Sequence, residues 1–215
     1  MLIPASTDRA HLTWSDPRCD TAAVLNIAAR RLRRRRRFAD MNLCRAADGD
    51  WNLHWGNGPK LNHYTWIWTG RRTRFGREIR RPMTDHELRR PVTEWTSEQI
   101  ARWRRGPKGG RKPADVAKRQ RQARRRRVYI AWEIKTHDYG EADYAERVVA
   151  TVERSGWPAF FMTLVTMHGW RHKMRAFHRA GGQTALLAHG APRPGDLANW
   201  LPYIDRIWGR FARTT

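Results

Sequence analysis

Hydrophobic and polar residues alternate most regularly in "VYIAWEIK", residues 128–135. Val128, Ile130, Trp132 and Ile134 share one parity, and Tyr129, Ala131, Glu133 and Lys135 share the other. Strand side chains point to opposite faces in turn, so this stretch predicts a strand with one wholly apolar face and a second face that turns polar only at its carboxyl end. "PAFFMTLVTM" and "QTALLAHG" predict further strands. Between and before them the period lengthens. "PADVAKRQRQARRRR" predicts a helix with Pro113 near its start, and "EADYAERVVATVERSG" one that turns Ala145, Val148, Val149 and Val152 to a single face and stops at Gly156. "GWRHKMRAFHRAGG" predicts a helix closed by glycines, and "GDLANWLPYIDRIWGRF" a closing helix broken at Pro202.

The amino-terminal part follows the same rhythm. "CDTAAVLNIAARRLRRRRR" predicts a helix capped by Asp20 or Thr21, with Ala22, Leu25, Ala29 and Leu32 as its apolar stripe. "FADMNL" and "DWNLHW" predict strands on either side of an "ADG" turn, and "HLTW" an earlier one. Residues 56–112 break the pattern. They hold a hairpin candidate, "HYTWIWTGRRTRFG", a short helix, "TSEQIARWRRG", and a basic loop, "GPKGGRK". We read 56–112 as a basic insertion or lid after the third strand, within one α/β domain spanning 1–215. Strands separated by helices imply βαβ units and a parallel sheet.

The formal charge of +23 adds an attraction for phosphates, which makes nucleic acid a partner class to weigh. Of the 43 basic residues only six are Lys, an excess of Arg that GC-rich coding also produces. No apolar run approaches the roughly 20 residues of a membrane-spanning helix. The opening "MLIPASTDRAHLTW" lacks a basic stretch followed by an apolar one, so no secretory signal is expected. Cys19 and Cys44 lack metal-ligand spacing, which fits free thiols in the cytoplasm.

Polar pairs at i and i+2 recur on three of the predicted strands: Asp40 with Asn42, Asn52 with His54, and Glu133 with Lys135. In α/β folds, sites gather at the carboxyl ends of parallel strands. Carboxylate and amide oxygens suit a hard cation, Mg²⁺ or Ca²⁺, and a lysine or histidine beside it suits phosphoryl chemistry.

The stretch "FADMNLCRAADGDWNLHW" resembles the segment that follows the first helix in glycerophosphodiester phosphodiesterases. That family carries a Glu-x-Asp strand, a Thr-x-Asp-Gly turn and a strand ending in a catalytic His. Asp40 and Asn42, Asp48 and Gly49, and His54 occupy those places here, and "AWEIK" resembles the family's later Glu-x-Lys strand. His11 in "AHLTW" and Asp20-Thr21 echo the family's first motif. The resemblance covers roughly residues 8–190. It implies a TIM-type (β/α) barrel and metal-assisted hydrolysis of a small phosphodiester. It implies His11 and His54 as the acid/base pair, Asp40, Asn42 and Glu133 around the metal, and Lys135 on the developing charge. Departures are the Asp40-x-Asn42 pair, which has one negative charge fewer, Leu12 for the family's Arg, and Trp55 for its Asp. Six candidate strands against eight make the expected barrel incomplete or irregular.

Two other classes compete. Asp115 followed by Glu133-x-Lys135 superficially matches the PD-(D/E)xK nuclease pattern, although Asp115 falls at a helix start. Alternatively the chain is a non-catalytic, basic nucleic-acid-binding protein, with Trp66, Trp68, Trp95 and Trp103 either stacking on bases or packing a satellite core.

Overall fold

The computed structural model describes residues 3–4, 11–12, 38–50, 64–105, 109–110, 112–113, 115–135, 142–165, 169–189 and 201–210. Seven strands form one parallel sheet: β1 (Ile3–Pro4), β2 (His11–Leu12), β3 (Phe38–Leu43), β7 (Tyr129–Ile134), β8 (Ala159–Leu164), β9 (Gln183–His189) and β10 (Arg206–Arg210). The intervening β4 (Tyr64–Arg72), β5 (Glu78–Pro82) and β6 (Trp103–Arg105) make a separate antiparallel sheet in the order β5-β4-β6.

Order in the large sheet is β2-β3-β7-β8-β9-β10, with β1 returning beside β10. The winding never reverses, unlike a doubly wound sheet. Its two edges, β1 and β2, are joined by six residues, 5–10. Seven Cα–Cα steps reach about 25 Å at most, whereas the edges of a flat seven-stranded sheet lie about 29 Å apart at the usual strand spacing. The sheet therefore curls. No pairing joins β1 to β2 among the described residues.

Helices cover one face. The apolar parity of β7 (Ile130, Trp132, Ile134) joins Ala39, Met41 and Leu43 of β3 beneath α3 (Val116–Arg126), α4 (Ala142–Glu153) and α5 (Trp170–Arg179). Val148, Val149 and Val152 of α4 fill that layer, as their spacing predicts, together with Met174 and Phe177 of α5. The other face carries a smaller apolar set, Ala131, Phe160, Met162 and Ala185. Burial on both faces is why the strands read as nearly continuous apolar runs. Asp115 starts α3, its carboxylate accepting the Lys118 N–H at 2.6 Å, and Arg127 ends it in the left-handed region at φ 52°.

The 56–112 region is more regular than its sequence suggests. Two short helices, α1 (Asp85–Arg89) and α2 (Ser97–Ala101), each begin with a capping box, Thr84 with Glu87 and Thr96 with Gln99. They pack with the small sheet around Tyr64, Ile67, Met83, Val92, Trp95, Ile100 and Trp103. Trp95 and Trp103 meet edge to face at 5.2 Å, so these two tryptophans build the satellite core and are closed to bases. The small core also includes Cys44 and Ala46, just past β3, and the Asp48 carboxylate accepts hydrogen bonds from the Ser97 N–H and hydroxyl. The small sheet is thus anchored at the carboxyl end of the large one.

One expected element is overturned. Within the expected closing helix, residues 201–210 are a 3₁₀ turn, Leu201–Tyr203, followed by strand β10, and residues 195–200 lie outside the described residues. Asp205 decides this. Its carboxylate accepts from the Thr184 N–H at 2.7 Å and its own N–H donates to the Thr184 carbonyl at 3.1 Å, tying the chain to β9 in the middle of the stretch expected to be helical. The expected count of six strands is corrected accordingly, since β1 and β10 join the sheet without a strand signal of their own. "DWNLHW" and the helix over 19–37 lie outside the described residues.

Candidate functional site

β3 and β7 run side by side in register, with Asn42 opposite Glu133 and Leu43 opposite Ile134, and the Lys135 N–H extends the ladder by donating to the Leu43 carbonyl at 3.0 Å. Paired positions of neighbouring strands turn their side chains to the same face. Asn42 and Glu133 therefore stand together at the carboxyl end of the sheet, with Lys135 one pleat beyond. The Lys135 ammonium donates to Glu133 Oε1 at 2.6 Å, and both side chains are buried, 7% and 1% exposed. An ion pair this deep is costly to desolvate and unlike the solvated strand-end pair that "ExK" ordinarily signals.

Three further side chains gather beneath this rim. Burial pushes the Cys44 thiol up to about 12 and holds the Tyr144 phenol well above its ordinary value, so both are neutral at physiological pH. Burial also pulls Lys173 down to about 8, helped by the Lys135 charge and opposed by that of Glu133. Lys173 lies on α5 at 0% exposure. Sequence reasoning passes over it, yet a signal exists: Trp170, Lys173, Met174 and Phe177 fall at i, i+3, i+4 and i+7, so a lysine occupies the apolar stripe of its helix.

Of the six residues anticipated for the site, Asn42, Glu133 and Lys135 come together. Asp40 lies in β3 opposite Ala131 in register. His11 lies in β2 opposite Phe38, which stands opposite Tyr129. The backbone of His11 is therefore about 13 Å short of the level of Glu133 along the strand direction, at four residues of ordinary rise. His54 lies outside the described residues.

The Glu133 carboxylate and the Asn42 amide are hard oxygen donors and fit Mg²⁺ or Ca²⁺ in kind. They fall short in number: no group of three His, Cys, Asp or Glu able to hold a metal occurs among the described residues. Lys135 and Lys173 bring two ammonium groups beside the Glu133 carboxylate. Asp115 is spent on its helix cap, remote in role from the Glu133-x-Lys135 strand, and so lends the nuclease pattern no support.

No family model matches the chain, and no curated protein matches it. A search of solved structures finds the glycerophosphodiester phosphodiesterase from Agrobacterium tumefaciens str. C58, at a TM-score of 0.40 and 13% identity over 88% of this chain and 89% of that one. A likeness that distant carries no argument about this chain's chemistry. No helix among the described residues is long and apolar enough to cross a membrane.

Proposed function

We propose that the chain is a cytoplasmic phosphoric diester hydrolase acting on a small, glycerophosphodiester-type substrate at the carboxyl rim of β3 and β7. In this reading the curled sheet is an incomplete (β/α) barrel and residues 1–215 make one domain. The observation that carries the proposal is the buried Glu133–Lys135 pair beside Asn42, an arrangement with no evident structural need at a strand end.

Glu133 fixes the direction of the Lys135 ammonium through their 2.6 Å hydrogen bond. An ammonium carries three donors, so a lysine aimed in this way can hold its carboxylate and still meet a phosphoryl oxygen. The charge on that oxygen grows as the attacking oxygen bonds to phosphorus and the bond to the leaving alkoxide breaks. Proton traffic is assigned to His54, which would take the proton of the nucleophile and return one to the alkoxide; His11, set about 13 Å short of Glu133 along the strand direction, is given no step at this rim. Asp40, Asn42 and Glu133 are the oxygens we assign to a divalent cation, which would polarise the phosphoryl group.

Hydrolysis of bis-(p-nitrophenyl) phosphate and of glycerophosphocholine, with Mg²⁺ or Ca²⁺ titrated in, tests this. Turnover that disappears in Glu133→Ala is expected. A folded wild-type chain inactive on both substrates with either metal overturns the proposal, as does full activity in Glu133→Ala.

A further inference from the structure

The small sheet carries a second surface that the hydrolase reading leaves unused. Strand β6 supports only the proximal half of β4, at Tyr64, Trp66 and Ile67. Past Trp68 the β4–β5 hairpin continues as a two-stranded ribbon for about 15 Å, at ordinary strand rise. A bulge with Gly70 at φ 87° twists it, and it closes in a turn where the Gly76 N–H donates to the Thr73 carbonyl at 2.9 Å. Residues 70–77 are exposed throughout.

Exposed charge at the tip of this ribbon has one sign. Arg71, Arg72, Arg74 and Arg77 lie at the tip. Its single carboxylate, Glu78, faces inward at 7% exposure and is engaged by Arg104, Lys112 and Arg80. Arg80 and Arg81 are paired with Glu78 and Glu87, but among the described residues Arg71, Arg74 and Arg77 face no carboxylate. Phe75 stands at the apex, 74% exposed, with the Arg74 guanidinium over its ring at 4.6 Å.

We propose that the β4–β5 hairpin docks into the major groove of duplex DNA, its arginines on the phosphates and Phe75 against the base edges. The fit is geometric as well as electrostatic. A B-form major groove, about 12 Å wide, admits a two-stranded ribbon, while the A-form RNA major groove is too narrow and deep for side chains to read. Guanidinium forks match phosphate oxygens in two-point contacts. Phe75 and the partly exposed Ile79 together offer little apolar area to a lipid surface, where interfacial binding scales with that area. The binding is independent of the hydrolase reading and is measured without turnover.

Fluorescence anisotropy with a labelled DNA duplex, across salt from about 50 to 200 mM, reads it out. The wild-type chain binds with a steep salt slope. Arg71→Ala/Arg74→Ala/Arg77→Ala flattens that slope by about 2.7, at roughly 0.9 for each phosphate no longer neutralised. Phe75→Ala weakens binding about tenfold at unchanged slope, in the range expected for a single base-edge interaction. Lys118→Ala/Arg121→Ala/Arg125→Ala, which removes as many charges from the exposed side of α3, leaves the slope intact. No binding by the wild type, or equal losses in the two triple variants, overturns the proposal. So do equal hairpin-dependent binding of duplex RNA, and hairpin-dependent binding of phosphatidylserine vesicles without binding of DNA.

Discussion

Two carboxylates among the described residues are buried beside basic groups and held in opposite ways. Glu78 in the small sheet is saturated. Arg104 grips it with two 2.9 Å hydrogen bonds, Lys112 adds a third interaction at 2.9 Å and Arg80 a fourth at 3.2 Å. Arg104 also donates to the carbonyls of Ala101 and Trp103, so the cluster stitches β5, β6 and α2 together. Its stabilised charge draws the Glu78 carboxyl down to about 2, chiefly through Arg104. Glu133 accepts from one lysine two residues along its own strand, a bond that joins no two elements. A carboxylate whose partners come from several elements holds a fold. One whose partner comes from its own strand keeps bonding capacity for something else.

The comparison predicts a double dissociation. The largest effect is expected at the rim: Glu133→Gln lowers phosphodiester turnover roughly 10²–10³-fold, the scale of losing one preorganised electrostatic group, with the circular dichroism spectrum unchanged. Arg104→Ala behaves oppositely. It removes the two-point grip on Glu78, leaving Lys112 and Arg80 as its partners, and costs about 1.5–3 kcal/mol of unfolding free energy in urea, the scale of a hydrogen bond to a charged group, with turnover per folded molecule retained. Acid unfolding sharpens the distinction. The folded value of Glu78 lies below its ordinary 4.5, so the stability it confers is complete above about pH 4.5 and drains away as the pH falls toward about 2. Glu78→Gln has forfeited it already, and its urea midpoint falls less steeply across that window. The smallest effect is expected at Asp115. Asp115→Ala removes a helix cap and costs about 1 kcal/mol, with no change in turnover. A large loss of activity there would revive the nuclease pattern.

How far the sequence discloses this arrangement varies from element to element. The alternation in β7 is legible because one parity is apolar without exception, and the same strand's final polar pair marks the site. The apolar spacing of α4 is legible for a similar reason. β10 is misread because Leu201, Ile204, Ile207 and Trp208 mimic a helical stripe, and what makes the segment a strand is a bond to Thr184, twenty-one residues before Asp205. Local periodicity cannot encode a partner that far away. Lys173 is hidden differently. Its place on the apolar stripe is visible, but its meaning depends on Glu133 and Lys135 arriving from another element. The tryptophans of the small sheet divide by depth: Trp95 and Trp103 are core, while Trp66 and Trp68 are half-buried. Interleaved arginines look alike around all four.

Cys44 sits where the two sheets meet, one residue beyond β3 and inside the small core. A thiol kept protonated up to about pH 12 is inert toward alkylating reagents for as long as both layers stay closed over it. In a Cys19→Ser background, iodoacetamide uptake at Cys44 therefore clocks how often the small sheet lifts from the rim, and gives that opening a rate of its own, separable from global unfolding.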